Sequence, residues 1–226
     1  MSRLVDLTMP WGPLVQVLEG HPQIQFRPIT THEADGRSNT EVTFSIHSGT
    51  HIDAPYHFFA NGKSIAEMPL TTFYGEARLV DLREVGTPNH EISLAELREV
   101  GKMRAADVQG KRIVLRTDWA QKNWNQPALY ADNPYLSEEA ARWLVESGVV
   151  ALGLDFAVDG APPYPNHPIF LGKEIPLIEN LVNLAEIGRE KFTLIAFPLP
   201  VEGGDGSPAR VVAVVNDEYP VEGGVF

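Results

Sequence analysis

Residues 47–58 read HSGTHIDAPYHF, and three of the chain's seven histidines fall inside this stretch together with Asp53. His47, His51 and Asp53 are spaced by four and then two positions. On a helix the two histidines would share a face and Asp53 would point away, whereas on a strand all three have the same parity. Gly49 and Pro55 weaken a helix further. The preceding TEVTFSIH (40–47) alternates Val42, Phe44 and Ile46 against Thr43, Ser45 and His47, as a half-buried strand does. Continued through Gly49, which is free to bend or bulge the strand, that alternation sends Ile52 and Ala54 to the core. It then sets His47, His51 and Asp53 on the opposite face, lining a pocket wall.

Two imidazoles and a carboxylate suit a divalent ion of borderline hardness: zinc, manganese, iron or nickel. Such an ion draws the pKa of bound water from about 15.7 toward about 7 and so provides a nucleophile near neutrality. His57 follows Asp53 by four positions, beyond Pro55, and is expected to be a further ligand or the general acid/base. The plainer reading is a strand whose histidines make ordinary hydrogen bonds. Three histidines at these spacings, with a carboxylate among them, weigh against it.

Outward from this segment, short elements alternate. EARLVDL (Glu76–Leu82), RIVLRTDW (112–119), VVALGLDF (149–156), FTLIAFPL (192–199) and ARVVAVV (209–215) read as strands. Ser93 with Glu96 forms a capping box for a helix stopped at Gly101, and Ser137 to Gly148 brackets a second helix. PLIENLVNLAEIG, opened by Pro176 and closed by Gly188, reads as a third. The first forty residues read as irregular. Interspersed strands and helices define an α/β or α+β fold, a single domain over residues 1–226.

The composition is that of a globular protein, with 43% hydrophobic and 21% charged residues. Eighteen basic against thirty acidic residues give a net charge of −12, which argues against nucleic-acid or anionic-membrane partners. With no cysteine, disulfides, thiol catalysis and cysteine-ligated zinc are excluded. The N-terminal MSRLVDLTMPWG has no long apolar segment, so a cytoplasmic protein without signal peptide or anchor is expected.

HSGTHIDAPYHF resembles the hallmark of the cyclase-like metal hydrolases, which include bacterial kynurenine formamidases and isatin hydrolases. It matches that family's His-x-Gly-Thr-His-x-Asp-x-Pro-x-His-Phe at all eight defined positions. NHPIFLGKEIPLIENL (166–181) resembles the family's second segment, through His167 and Glu179. Weaker likenesses cover LRTDW, LGLDF and FPLPVEGGDGSPAR. The resemblance implies a twisted, mixed β-barrel-like sheet with a few flanking helices, of the swivelling β/β/α type. It also implies homodimers or homotetramers acting on a small-molecule substrate. One or two ions, Zn2+ or Mn2+, would be held by His47, His51 and Asp53, with Asp53, His167 and Glu179 for the second, and His57 would act as general acid/base. The implied reaction is hydrolysis of an N-formyl amide, cyclic amide or lactone.

Read without the resemblance, other residues are plainer. His167 is a histidine in a proline-rich loop, and Glu179 favours the dipole at the start of a helix. Glu174 is a competing acid nearby. EGGDGSP offers backbone N–H groups but reads as a turn. His21, His32 and His90 are expected at the surface. Trp11, Trp119 and Trp124 are expected to pack, or to stack on an aromatic substrate. No Gly-x-Ser-x-Gly or dinucleotide fingerprint occurs. The rival functions are a mononuclear iron oxygenase with a two-histidine, one-carboxylate site, and a metal-binding protein without turnover.

Overall fold

The computed structural model describes residues 2–216; residue 1 and residues 217–226 of the expected domain lie outside the described residues. Its strands are β1 (Arg3–Asp6), β2 (Gln25–Thr30), β3 (Asn39–Thr43), β4 (His51–Asp53), β5 (Tyr74–Asp81), β6 (Glu91–Ile92), β7 (Arg112–Arg116), β8 (Tyr135–Leu136), β9 (Ala151–Leu154), β10 (Leu177–Glu179), β11 (Lys191–Ile195), β12 (Gly206–Pro208) and β13 (Val212–Val215). Its helices are α1 (His32–Asp35), α2 (Leu94–Glu99), α3 (Ala105–Val108), α4 (Trp119–Asn123), α5 (Ala128–Ala131), α6 (Glu138–Glu146) and α7 (Asn166–Leu171).

Nine strands form one curled mixed sheet in the order β1-β13-β11-β5-β7-β9-β10-β4-β12. The four central strands β5, β7, β9 and β10 run parallel, and every pairing outside them is antiparallel. The parallel strands are joined by crossovers in which α2, α6 and α7 lie, whereas each antiparallel pair of this sheet joins strands that are not consecutive in the chain. The β1 and β12 edges do not pair with each other, so the expected barrel-like sheet is a half-barrel.

Both faces of the parallel strands are covered, which is why their sequences run apolar without alternation. Ile113, Leu115, Leu152, Leu154 and Leu177 pack under Leu97 of α2, Leu144 of α6 and Phe170 of α7. Val114, Ala151 and Ile178 point to the other face, where they meet Ile52, Phe73, Phe192 and Ala213 inside the curl. The two capped helices form where the sequence places them. Ser93 accepts from Glu96 N–H in a reciprocal capping box, and Ser137 accepts from Ala140 N–H.

Three sequence expectations are corrected. Residues 176–188 do not form a helix: Leu177–Glu179 is strand β10 and Leu184–Ile187 a short 3-10 turn. Residues 177–182 are buried without a break, so their burial carries no periodicity that separates helix from strand. Asn180 and Asn183, at φ 60° and 57°, then turn the chain out of any helical path. The strand expected at 40–47 ends at Thr43 and pairs only with β2, in a ribbon separate from the main sheet. His47 therefore reaches the site by a turn through Gly49, at φ +67°, and does not share one continuous strand with Asp53. The first forty residues hold β1, β2 and α1. Only Val5 of β1 is buried, too little pattern to read as a strand.

Candidate metal centre and cavity

Strand register builds the site. β4 is buried throughout; its middle residue, Ile52, enters the core inside the curl, so His51 and Asp53 face the other way. β10 runs antiparallel beside it with Glu179 paired to His51 and Leu177 to Asp53. Glu179 therefore joins the His51–Asp53 face. β12 pairs on the opposite side with Gly206 against Asp53. Pro55 starts a 3-10 turn that presents His57, and α7 carries His167. The proline-rich loop expected around His167 is thus a short helix.

The sequence candidates His47, His51, Asp53, His57, His167 and Glu179 converge, and all line one cavity of about 600 Å³. Asp53 is the hub and is 1% exposed. Its Oδ1 lies 2.7 Å from His47 Nδ1 and 3.3 Å from His51 Nε2. Its Oδ2 lies 3.6 Å from His167 Nε2 and is buried with no hydrogen-bond partner. Glu179 Oε2 is 4.0 Å from His51 Nε2, and Glu179 Oε1 is 3.9 Å from His167 Nε2 while accepting Val158 N–H at 2.8 Å. Three groups have donor atoms close enough to share a cation: His47/His51/Asp53, Asp53/His167/Glu179 and the less buried His47/His57/Asp205.

The outer nitrogen of each of these imidazoles is tied to an oxygen. His51 Nδ1 donates to Gly49 O at 2.8 Å, His167 Nδ1 to Asp159 Oδ2 at 2.6 Å, and His47 Nε2 to Asp205 Oδ2 at 2.9 Å. The remaining nitrogen of every ring is aimed at Asp53. Outer hydrogen bonds of this kind fix ring orientation and tautomer in metal sites.

The charges follow from this packing. Burial works against charge on His47 and His167. Hydrogen bonds to Asp205 and Asp53 at the first ring, and the hydrogen bond to Asp159 with the nearby Asp53 carboxylate at the second, still raise both to about 10. Burial would raise Asp53, but attraction to His51 and the close approach of His167, His47 and His51 hold it well below the usual carboxylate range. Glu179 is raised, by burial first and then by repulsion from Asp53. His57 is lowered to about 4, because burial and its charged neighbours His47 and His167 outweigh the attraction of Asp53 and Asp205. A neutral His57 thus stacks on His47 at 4.0 Å between ring centroids.

Several residues in or around the site were not assigned to it from the sequence. Asp159 stands eight residues before His167 in AVDGAPPYP, and Asp205 lies in the turn read as EGGDGSP. Tyr130 lines the wall; its hydroxyl accepts from Asn180 Nδ2 at 3.1 Å, and burial raises its pKa. His21, expected at the surface, lies over the cavity 6.5 Å from His47, and burial lowers its pKa. The other competing residues stand away. Glu174 is exposed and pairs with Lys63 at 2.6 Å, His32 is exposed on α1, and His90 bonds Glu96 at 2.8 Å. Trp11 packs edge-on against Phe44, and Trp119 is buried with its indole N–H on Leu129 O. Trp124 packs against the helix-side core. None of the three tryptophans lines this cavity.

This chain thus pairs a curled mixed sheet with a buried histidine–carboxylate cluster on its β4–β10 seam. Residues 5–159 match the model of the family described as "Putative cyclase", and the chain belongs to that family. It is 30% identical to a kynurenine formamidase of Bacillus cytotoxicus over 217 residues, covering 93% of this chain and 97% of the relative. It is 28% identical over 219 residues to the kynurenine formamidase of Bacillus anthracis, with the same coverage. The solved structure of isatin hydrolase A from Labrenzia aggregata, bound to benzyl benzoate, superposes with a TM-score of 0.81. Its sequence is 27% identical, and the match covers 95% of this chain and 94% of that one. Among the described residues, no helix is long and apolar enough to cross a membrane.

Proposed function

We propose that this chain is a metal-dependent hydrolase that opens an N-formyl amide, a cyclic amide or a lactone by adding water to its carbonyl. The observation that carries this reading is Asp53: its Oδ2 is buried without a hydrogen-bond partner 3.6 Å from His167 Nε2, while its Oδ1 is faced by His47 and His51, and the outer nitrogen of each of these rings is already tied. Leaving such an oxygen unsatisfied is costly, and a cation satisfies it. The donor set therefore fits zinc or manganese, with His47, His51 and Asp53 holding one ion and Asp53, His167 and Glu179 a second. When bound, the ion supplies Lewis-acid polarisation of the carbonyl and acidification of water.

The chain's own groups supply the rest. His57 is neutral over the physiological range and accepts the proton of the attacking water. As the carbonyl C–N or C–O bond breaks, His57 returns that proton to the leaving nitrogen or oxygen, giving a carboxylate product. Phe58 stacks parallel to His167 at 4.9 Å and, with Tyr130 and Tyr164, gives the cavity flat apolar walls suited to an aromatic ring. Among the described lining residues there is no lysine or arginine, and Glu19 stands at the wall. Apart from the metal groups and their histidines, no described side chain of the wall offers a positive charge to a substrate carboxylate.

The test is to load the purified protein with Zn2+ or Mn2+ and to offer N-formylkynurenine, isatin and small lactones under anaerobic conditions, following acid release. Hydrolysis of at least one, abolished by chelator, is expected. Turnover that requires oxygen would replace this reading with an oxygenase.

A further inference from the structure

We propose that Asp205 is the positioning residue of the metal centre: one carboxylate that fixes the ring of His47 and the base His57 together. This rests on the metal-dependent reading above. Asp205 Oδ2 lies 2.9 Å from His47 Nε2 and 3.7 Å from His57 Nδ1. The two rings it serves are stacked on each other at 4.0 Å. Neither imidazole can therefore rotate without breaking the stack or leaving the carboxylate.

The turn that carries Asp205 is itself fixed to β4. Ala54 N–H donates to Asp205 O at 2.9 Å, and Ile65 N–H donates to Gly204 O at 2.9 Å. Gly206 pairs with Asp53, and a Cβ on Gly206 would lie 3.1 Å from His47 Cε1. The glycine lets the turn press against the imidazole, and the residue before it is thereby delivered to the ring's outer nitrogen. Strand β12 therefore acts as the rear support of the site.

The consequence is a defined tautomer. With Nε2 committed to Asp205, His47 presents Nδ1 on the Asp53 side, where a cation would be held. At His57, Asp205 faces Nδ1 and leaves Nε2 as the nitrogen that exchanges protons. Asp205 itself, 40% exposed at its side chain, is a support and does not meet the reacting atoms.

The test compares wild type, Asp205→Ala and Asp205→Asn for Zn2+ affinity, by competition with a chromophoric chelator, and for melting of the metal-free protein. Loss of an outer carboxylate typically weakens metal binding about 10- to 100-fold, and that loss is expected for Asp205→Ala. Asp205→Asn keeps one acceptor and is expected to fall between the two. For Asp205→Ala, kcat is expected to drop while KM changes less than about twofold, since the support acts on the proton carrier and not on substrate contacts. If Asp205→Ala fails to fold, Asp205→Asn is read alone, and weaker Zn2+ binding in it supports the assignment. Wild-type affinity in every variant that folds overturns it, whatever the substrate screen shows. Conversely, tight Zn2+ binding by wild type with no hydrolysis of any screened substrate removes the hydrolase reading, and the chelator measurement still decides the role of Asp205.

Discussion

Glu179 stands directly across from His51 in the antiparallel β10–β4 pair, so two residues 128 positions apart share one face of the sheet by register alone. A slip of one residue in that pairing would turn Glu179 away from the hub and bring Ile178 or Asn180 in its place. The site is thus as precise as the hydrogen bonding of two three-residue strands.

Asp53→Asn removes the charge to which three imidazoles are oriented. The variant is expected to bind Zn2+ more than about 100-fold more weakly, beyond the range typical for an outer partner. Elemental analysis after dialysis measures this. A variant that keeps one ion per chain would show that Asp53 is not the hub.

His57→Ala tests the proton carrier separately from the metal. It is expected to retain wild-type metal content and to lose about 10²- to 10⁴-fold in kcat, the usual contribution of a general acid/base. Near-normal turnover would remove His57 from the reaction.

The metal-free protein should respond to pH through His47 and His167. Both are raised in the folded state to about 10 from an ordinary value of 6.5. Their pairing with Asp53, Asp205 and Asp159 therefore stabilises the fold fully below about pH 6.5, and this stabilisation is lost as pH climbs through about 10. The melting temperature in chelator is expected to fall across that window. Metal affinity should move the other way, rising with pH, because binding must displace those protons. Calorimetry in buffers of differing ionisation enthalpy should show proton release near pH 7; zero release would contradict the assigned charges.

Gly206→Ala tests the support strand. The added Cβ would lie 2.5 Å from Ile52 O, backbone of the neighbouring strand, so β12 must lift off β4. A loss of about 1–3 kcal/mol in stability is expected, as for other overpacked sites, together with weaker metal binding. Denaturant unfolding and the chelator assay measure the two effects. Alanine tolerated without either change would mean that β12 is not pressed against the site.

The capped helices and most strands were legible because their signals are local. A serine three residues before a glutamate closes a capping box whatever surrounds it, and Ser93 and Glu96 do so. The β10 segment was misread because its side chains are buried on both faces, which erases the periodicity that separates strand from helix. Its pairing with β9 and β4 decides the outcome, and no local residue encodes that. Asp205 and Asp159 were passed over for a similar reason. An aspartate in a glycine-rich turn is ordinary until the fold brings it within 3 Å of a particular histidine.

The sequence by itself determined the chemistry on offer: nitrogen and oxygen donors with no thiol, His51 and Asp53 on one side of a short strand, and a histidine beyond a proline turn. It did so because side-chain parity along a strand and donor type are properties of neighbouring residues. Only the tertiary structure decided which distant groups complete the centre. His167, Glu179 and Asp205 arrive from a helix, a strand and a turn more than a hundred residues further along, placed by inter-strand register and by packing against the sheet. Those interactions form between distant segments: the resemblance of residues 166–181 to a known segment pointed to His167 and Glu179, but nothing local announced Asp205.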